Sequence, residues 1–159
     1  MGGVLWQKAF DDLTEDDFRR MLEVHVVGTF VMSQEAARRM EPGARIVNMS
    51  SRTYLGSANF AHYVAAKAAV VGLTRAMAMD LAARKISVNA IAPGLVDTPM
   101  PKVMPQELLD HLATLEPAGK FTDPAVIADT VAFVGRAGGH LNGEVIVVDG
   151  GKSLGGIGL

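Results

Sequence analysis

Tyr63 and Lys67 stand four residues apart, and Ser50 and Ser51 lie thirteen and twelve residues upstream of the tyrosine. Helix positions i and i+4 share a face, so a phenol and an ammonium at this spacing can point into one site. A cation beside a phenol suits a tyrosine whose proton has to move near neutral pH. On its own the Tyr-x-x-x-Lys spacing arises often by chance, as a helical tyrosine with a solvated lysine. The elements around it decide what the pair is worth.

Thr14-Glu15-Asp16-Asp17 reads as a helix N-cap followed by an acidic first turn. Apolar residues then recur from Phe18 to about Met40, where Pro42-Gly43 stops the helix. Ala44 to Met49 is a short apolar run with a β-branched centre, which predicts a buried parallel strand. Ser51 to Phe60 is polar and contains glycine, hence a loop, and Ala61 to Arg84 is a long Ala-rich helix. Ile86 to Ile91 predicts a second strand ahead of Pro93-Gly94. Pro105 opens a short helix, Asp123-Pro124 caps and opens another to about Ala137, and Glu144 to Val148 is a third strand. The tail SLGGIGL reads as a flexible or docking terminus. Strand and helix in alternation predict βαβ units on a parallel sheet. Both the Ser50-Ser51 pair and Pro93-Gly94 follow strands. They therefore sit at the carboxyl edge of the sheet, where open α/β folds place ligands.

A chain of 159 residues, 49% hydrophobic and 20% charged, predicts one globular domain over 1–159. The net charge is −2, and the basic pairs Arg19-Arg20 and Arg38-Arg39 read as solvated helix faces. That balance gives no electrostatic case for nucleic acid or an acidic membrane surface. Without cysteine there is no disulfide, Cys-ligated zinc or thiol nucleophile. No metal site is expected: His25 has no second ligand at a useful spacing, and His62, His111 and His140 read as surface or loop residues. The N-terminus lacks signal-peptide form and no window reaches a membrane span, so a soluble cytoplasmic protein is expected.

RIVNMSS, YVAAKAAVVGLTRAMAMDLA, ISVNAIAPGLVDTPM and NGEVIVVDGG occur in this order over nearly the whole chain. Together they resemble the C-terminal portion of the short-chain dehydrogenase/reductase family, in the branch with 3-oxoacyl-acyl-carrier-protein reductases. The resemblance implies an α/β fold, a partial Rossmann-like doubly wound parallel sheet. It implies hydride transfer between NAD or NADP and a small-molecule carbonyl or secondary alcohol. Tyr63 would exchange a proton with the reacting oxygen. Lys67 would hold the nicotinamide ribose and lower the phenol pKa. A free phenol titrates near ~10, and bringing it to ~7 takes about 4 kcal/mol. One ammonium at ~4 Å supplies about that at an effective dielectric of ~20. A serine would hydrogen-bond the substrate oxygen. Counting back from the tyrosine gives Ser50 and the strand-end motif gives Ser51; Ser51 is favoured, since loop lengths drift more easily than strand ends. Pro93, Gly94, Val96 and Thr98 match the segment that contacts the nicotinamide and phosphates, while Asn89 and Asp149 match structural positions.

Two departures accompany the matches. Where the family carries an asparagine in a stretch like vNxxG, this chain reads VHVVG, with His25 in that place. The histidine either serves as the polar group there or packs in an interhelical seam. Second, the N-terminal strands and the glycine-rich phosphate loop of the family do not occur in these residues. Gly151-Lys152-Ser153 looks like the end of a Walker A loop, but Ile146 stands where that motif needs glycine. Dinucleotide binding by these residues alone is therefore not expected, and the strand at 44–49 should show a bare flank. A homo-oligomer through the helices at about 14–40 and 61–84 is expected. The alternative is a catalytically silent relic that serves as an oligomerisation or interaction module.

Overall fold

The computed structural model describes residues 3–98 and 106–154. Three strands, β1 (Arg45–Met49), β2 (Ser87–Pro93) and β3 (Val145–Val148), form one parallel sheet in the order β1-β2-β3. The register pairs Ile46 with Val88 and Met49 with Ile91, then Ile91 with Ile146. β2 is buried along its whole length, as a central strand must be. Among the described residues β1 has a strand partner on one side only, the bare flank that the sequence suggested.

Side chains alternate across the sheet and build two cores. On one face, Ile46 and Val88 pack with Ala37, Ala78 and Ile86 beneath the helices α2 (Gly28–Arg39) and α3 (Ala61–Asp80). On the other, Ile91 packs with Ile127 and Val134 of α5 (Pro124–Arg136), joined by Val47, Met49 and Ile146. Helices on both faces of a parallel sheet are the doubly wound arrangement that the alternation predicts. Asp123 caps α5 by accepting from the Ala125 amide, with Pro124 in the first turn. α4 (Gln106–Thr114) is seen from Gln106 on, so Pro105 and the end of the tail, 155–159, lie outside the described residues.

The helix expected over 14–40 is broken into three pieces. α1 (Glu15–Leu22) opens with a capping box between Thr14 and Asp17. A π turn follows at Glu23–Val27, closed by the Gly28 amide on the Glu23 carbonyl, and α2 continues from there. The reason lies in the buried positions Met21, His25, Thr29, Ser33 and Ala37, which recur strictly every four residues. A helix of 3.6 residues per turn swings such a series by about 40° at each step. One extra residue in a turn takes out much of that drift and keeps the series facing the protein.

α3 stops at Asp80 rather than Arg84. A 3-10 turn at Ala82–Arg84 follows, and Lys85 turns the chain at φ 57° into β2. The expectation for His62 was wrong. It is fully buried in the first turn of α3, its ring 5.0 Å from that of Trp6. His62, Ala66 and Val70 form the innermost row of the helix, all at 0% exposure. His111 and His140 are exposed, as expected.

Candidate active site

The carboxyl ends of β1 and β2 open into a cleft of about 600 Å³. Ser50, Ser51, Tyr63, Pro93, Gly94, Val96 and Thr98 all line it. Ser50 and Ser51 follow β1, and Tyr63 comes from the first turn of α3. Pro93 ends β2, with Gly94 bonded through its amide to the Val148 carbonyl at 2.9 Å. A methyl group on Gly94 would stand 2.9 Å from Cβ of Asp149, so only glycine lets these two strand ends meet this closely. Val96 and Thr98 lie on a segment tied back by Thr122, whose amide donates to the Leu95 carbonyl at 2.8 Å.

Lys67 is not part of the lining. It is buried behind Tyr63, its Nζ 5.5 Å from the centre of the tyrosine ring and donating to the Met49 carbonyl at 3.1 Å. Burial alone lowers its pKa to about 8. Burial also raises the pKa of Tyr63, partly opposed by a side-chain hydrogen bond with Ser51. The expected lowering of the phenol by the ammonium is therefore corrected. The cation lies over the ring, 5.5 Å from its centre, and desolvation dominates the phenol.

The two serines differ in what their protons do. Ser50 is buried and spends its proton on the Lys67 carbonyl, at 2.9 Å. Ser51 Oγ accepts twice from Thr53, from the amide at 3.3 Å and the hydroxyl at 3.0 Å. A hydroxyl has two lone pairs and one proton. With both acceptor sites taken, the one Ser51 proton serves its hydrogen bond with Tyr63, which links the two hydroxyls at the cleft wall.

His25 reaches the same region through the π turn. Its ring lies 5.3 Å from that of Tyr63 at 84°, and Nε2 donates to the Val4 carbonyl at 2.8 Å. Burial lowers its pKa, the Val4 bond opposes this, and Lys67 adds to the lowering, so the ring is neutral at pH 7. Asn89 and Asp149 brace the strand ends. Asn89 donates to the Leu141 carbonyl at 2.8 Å and accepts from the Glu144 amide at 3.0 Å. Burial opposes ionisation of Asp149. The Ser153 hydroxyl, the Gly151 and Ser153 amides and Arg52 outweigh it and hold the carboxyl below its ordinary value.

The sequence reading missed Arg52, Phe60, Leu112 and Lys152 in the cleft wall. Arg52 carried a signal, since it directly follows Ser51. Lys152 was considered only as part of a failed phosphate loop. It is instead ion-paired with the buried Glu116.

The residues present fit the nicotinamide end of a dinucleotide: Pro93, Gly94 and Val96 line the same cleft as Ser51 and Tyr63. No G-x-G-x-x-G sequence occurs among the 159 residues to cradle a pyrophosphate.

Residues 1–153 match a family model described as Enoyl-(Acyl carrier protein) reductase. A relative from Thauera aromatica, (2S)-[(R)-hydroxy(phenyl)methyl]succinyl-CoA dehydrogenase subunit BbsD, is 40% identical over 149 residues, 92% of this chain and 60% of that protein. The 3-oxoacyl-[acyl-carrier-protein] reductase of Aquifex aeolicus is 34% identical, covering 94% of this chain and 62% of its own. Among solved structures, the angucycline C-6 ketoreductase LanV with bound NADP superposes with a TM-score of 0.90 at 31% identity, over 98% of this chain and 61% of LanV. The chain thus spans about 60% of the length of the curated relatives it matches.

Proposed function

This chain belongs to the short-chain dehydrogenase/reductase family, and from that membership we propose that it acts as an NAD(P)-dependent oxidoreductase on a carbonyl or secondary alcohol. The observation that carries the reading is the convergence of the Ser51 and Tyr63 hydroxyls on one cleft, with the Lys67 amine behind the tyrosine ring. The named relatives, a 3-oxoacyl-[acyl-carrier-protein] reductase, a hydroxy(phenyl)methylsuccinyl-CoA dehydrogenase subunit and a ketoreductase, favour the same reacting group.

When bound, a nicotinamide supplies or accepts the hydride. Ser51 turns its proton from Tyr63 to the substrate oxygen and holds that oxygen near the phenol. Tyr63 gives its proton to that oxygen in reduction and takes it back in oxidation. Its raised pKa keeps the phenol protonated at rest, as an acid must be. Pro93, Gly94, Val96 and Thr98 line the cleft and would hold the nicotinamide riboside end, while Lys67, buried behind the Tyr63 ring, would act on the phenol. The Lys67 ammonium stabilises negative charge as it develops on the phenol, at low dielectric cost because both groups are already desolvated.

A second reading, a catalytically silent relic used as an interaction module, is favoured by the one-sided β1 among the described residues. Titrating NADH and NADPH against the protein while following nicotinamide fluorescence separates the two. Saturable enhancement supports the oxidoreductase. No binding into the millimolar range defeats it for this chain.

A further inference from the structure

The cleft wall is apolar over much of its area, with Leu5, Phe60, Leu95, Leu112, Ile127 and Val131 contributing. Its charged lining residues are Arg52 and Lys152, both cations; no carboxylate lines it among the described residues. Each cation has a carboxylate near it that is turned into the protein. Glu116, 4% exposed, accepts from Lys152 Nζ. Asp149 lies near Arg52, but its oxygens accept from the Gly151 amide, the Ser153 amide and the Ser153 hydroxyl. Arg52 makes no hydrogen bond to any described residue. Its stem runs along the β2 end, with Cδ 3.8 Å from where a Cβ on Gly94 would stand. A guanidinium has five N–H groups in a fork that matches a carboxylate. Lys152 uses one of three donors on Glu116. The cleft lining thus carries two cations with unused donors, while their carboxylate neighbours lie outside the lining.

We propose that Arg52 and Lys152 form an anion-binding pole that selects substrates carrying a carboxylate on an apolar body, alongside the reacting carbonyl or hydroxyl. That the bound molecule is a substrate rests on the oxidoreductase reading; its charge rests on the cleft itself. A neutral ketone leaves both donor sets facing an apolar ligand. A carboxylate pairs with the Arg52 fork, and a charge-assisted pair of this kind discriminates by about tenfold or more.

The probes are 4-acetylbenzoate and its neutral methyl ester, titrated by saturation-transfer NMR, which needs no turnover. The acid is expected to bind about tenfold more tightly than the ester. Arg52→Gln should bring the acid-to-ester ratio near one, and about 0.5 M salt should shrink it in the unmodified protein. Removing Lys152 alone would strand a buried carboxylate. The double variant Glu116→Gln/Lys152→Met avoids this, and it should lower the ratio as well. Equal binding of acid and ester, no binding of the acid, or a ratio unchanged in Arg52→Gln overturns the proposal. So does a loss of NADPH affinity in Arg52→Gln with the acid preference intact, which assigns the cation to a cofactor phosphate. If the acid preference holds while neither probe is turned over with NADH or NADPH, the oxidoreductase reading fails and the anion pole stands.

Discussion

The rings of His25 and Tyr63 meet at 84° with their centres 5.3 Å apart, and the histidine is anchored from behind by the Val4 carbonyl. A neutral imidazole is thereby built against the candidate proton donor. Burial lowers its pKa, and burial likewise lowers that of His62, whose ring nitrogens have no hydrogen-bond partner among the described residues. An unfolded histidine takes up its proton near pH 6.5, above the folded value. On acidification the unfolded chain binds protons first, so stability is full above about pH 7 and falls as the pH drops through 6.5. Urea denaturation from pH 7.5 to 5 should show this slope. His62→Phe should flatten it and raise stability at pH 7 by about 1 kcal/mol, because two buried polar atoms without partners are removed.

Ser50 and Ser51 should separate cleanly. Ser51→Ala removes the donor to the substrate oxygen and should cut kcat by about 100-fold with little effect on folding. Ser50→Ala removes a buried bond to the Lys67 carbonyl and should cost about 1 kcal/mol of stability, with a smaller effect on kcat. Steady-state rates beside thermal melts of the two variants check the assignment.

Lys67 and Tyr63 should show activity and stability pulling apart. With its pKa lowered to about 8, Lys67 binds its proton less readily in the folded than in the unfolded state. Charged Lys67 therefore works against folding at neutral pH, and stability should rise between pH 8 and about 10.5. Lys67→Met should gain about 1–2 kcal/mol at pH 7 and abolish that rise, while activity falls at least 100-fold. Tyr63→Phe should lose activity by a similar factor without the gain.

Gly94→Ala tests the junction of the strand ends. Its Cβ would come within 2.9 Å of Asp149 Cβ and 3.1 Å of Asp149 Cα, and neither is the flexible end of a side chain. A loss of about 1–3 kcal/mol is expected in chemical denaturation.

Self-association through α2 and α3 is the fifth expectation. Phe30, Val31 and Met32 are 43%, 46% and 63% exposed, and Ala68, Gly72 and Ala76 leave an exposed small-residue row on α3. Phe30→Asp should shift the protein toward monomer in light scattering, with the secondary structure retained in circular dichroism.

Much of the frame could be read from residue order alone. β-branched runs bounded by turn residues marked all three strands, and Asp123-Pro124 marked the start of α5, because these signals are local. The cleft residues Ser51, Tyr63, Pro93 and Gly94 were found for the same reason: each closes or follows an element. What escaped depends on contacts between distant segments. His62 was misplaced because Trp6, which covers it, lies 56 positions away, although the spacing 62, 66, 70 already put it on the inner row of α3. The electrostatics of Tyr63 were misjudged because spacing fixes which face Lys67 shares and not where on the ring its amine ends. The π turn was missed because a periodicity read over the whole of 14–40 blurs a slip of one.

That slip splits one long rod into two independently phased segments. The turn itself aims His25 at Tyr63, and the part after it packs on the sheet. Deleting a residue from 23–27 would restore an unbroken spiral and rotate everything downstream by about 100°. Ser33 and Ala37 would then swing off the sheet while Tyr63 stayed put. The surplus peptide unit lets the aim of one imidazole and the packing of a whole layer be adjusted separately.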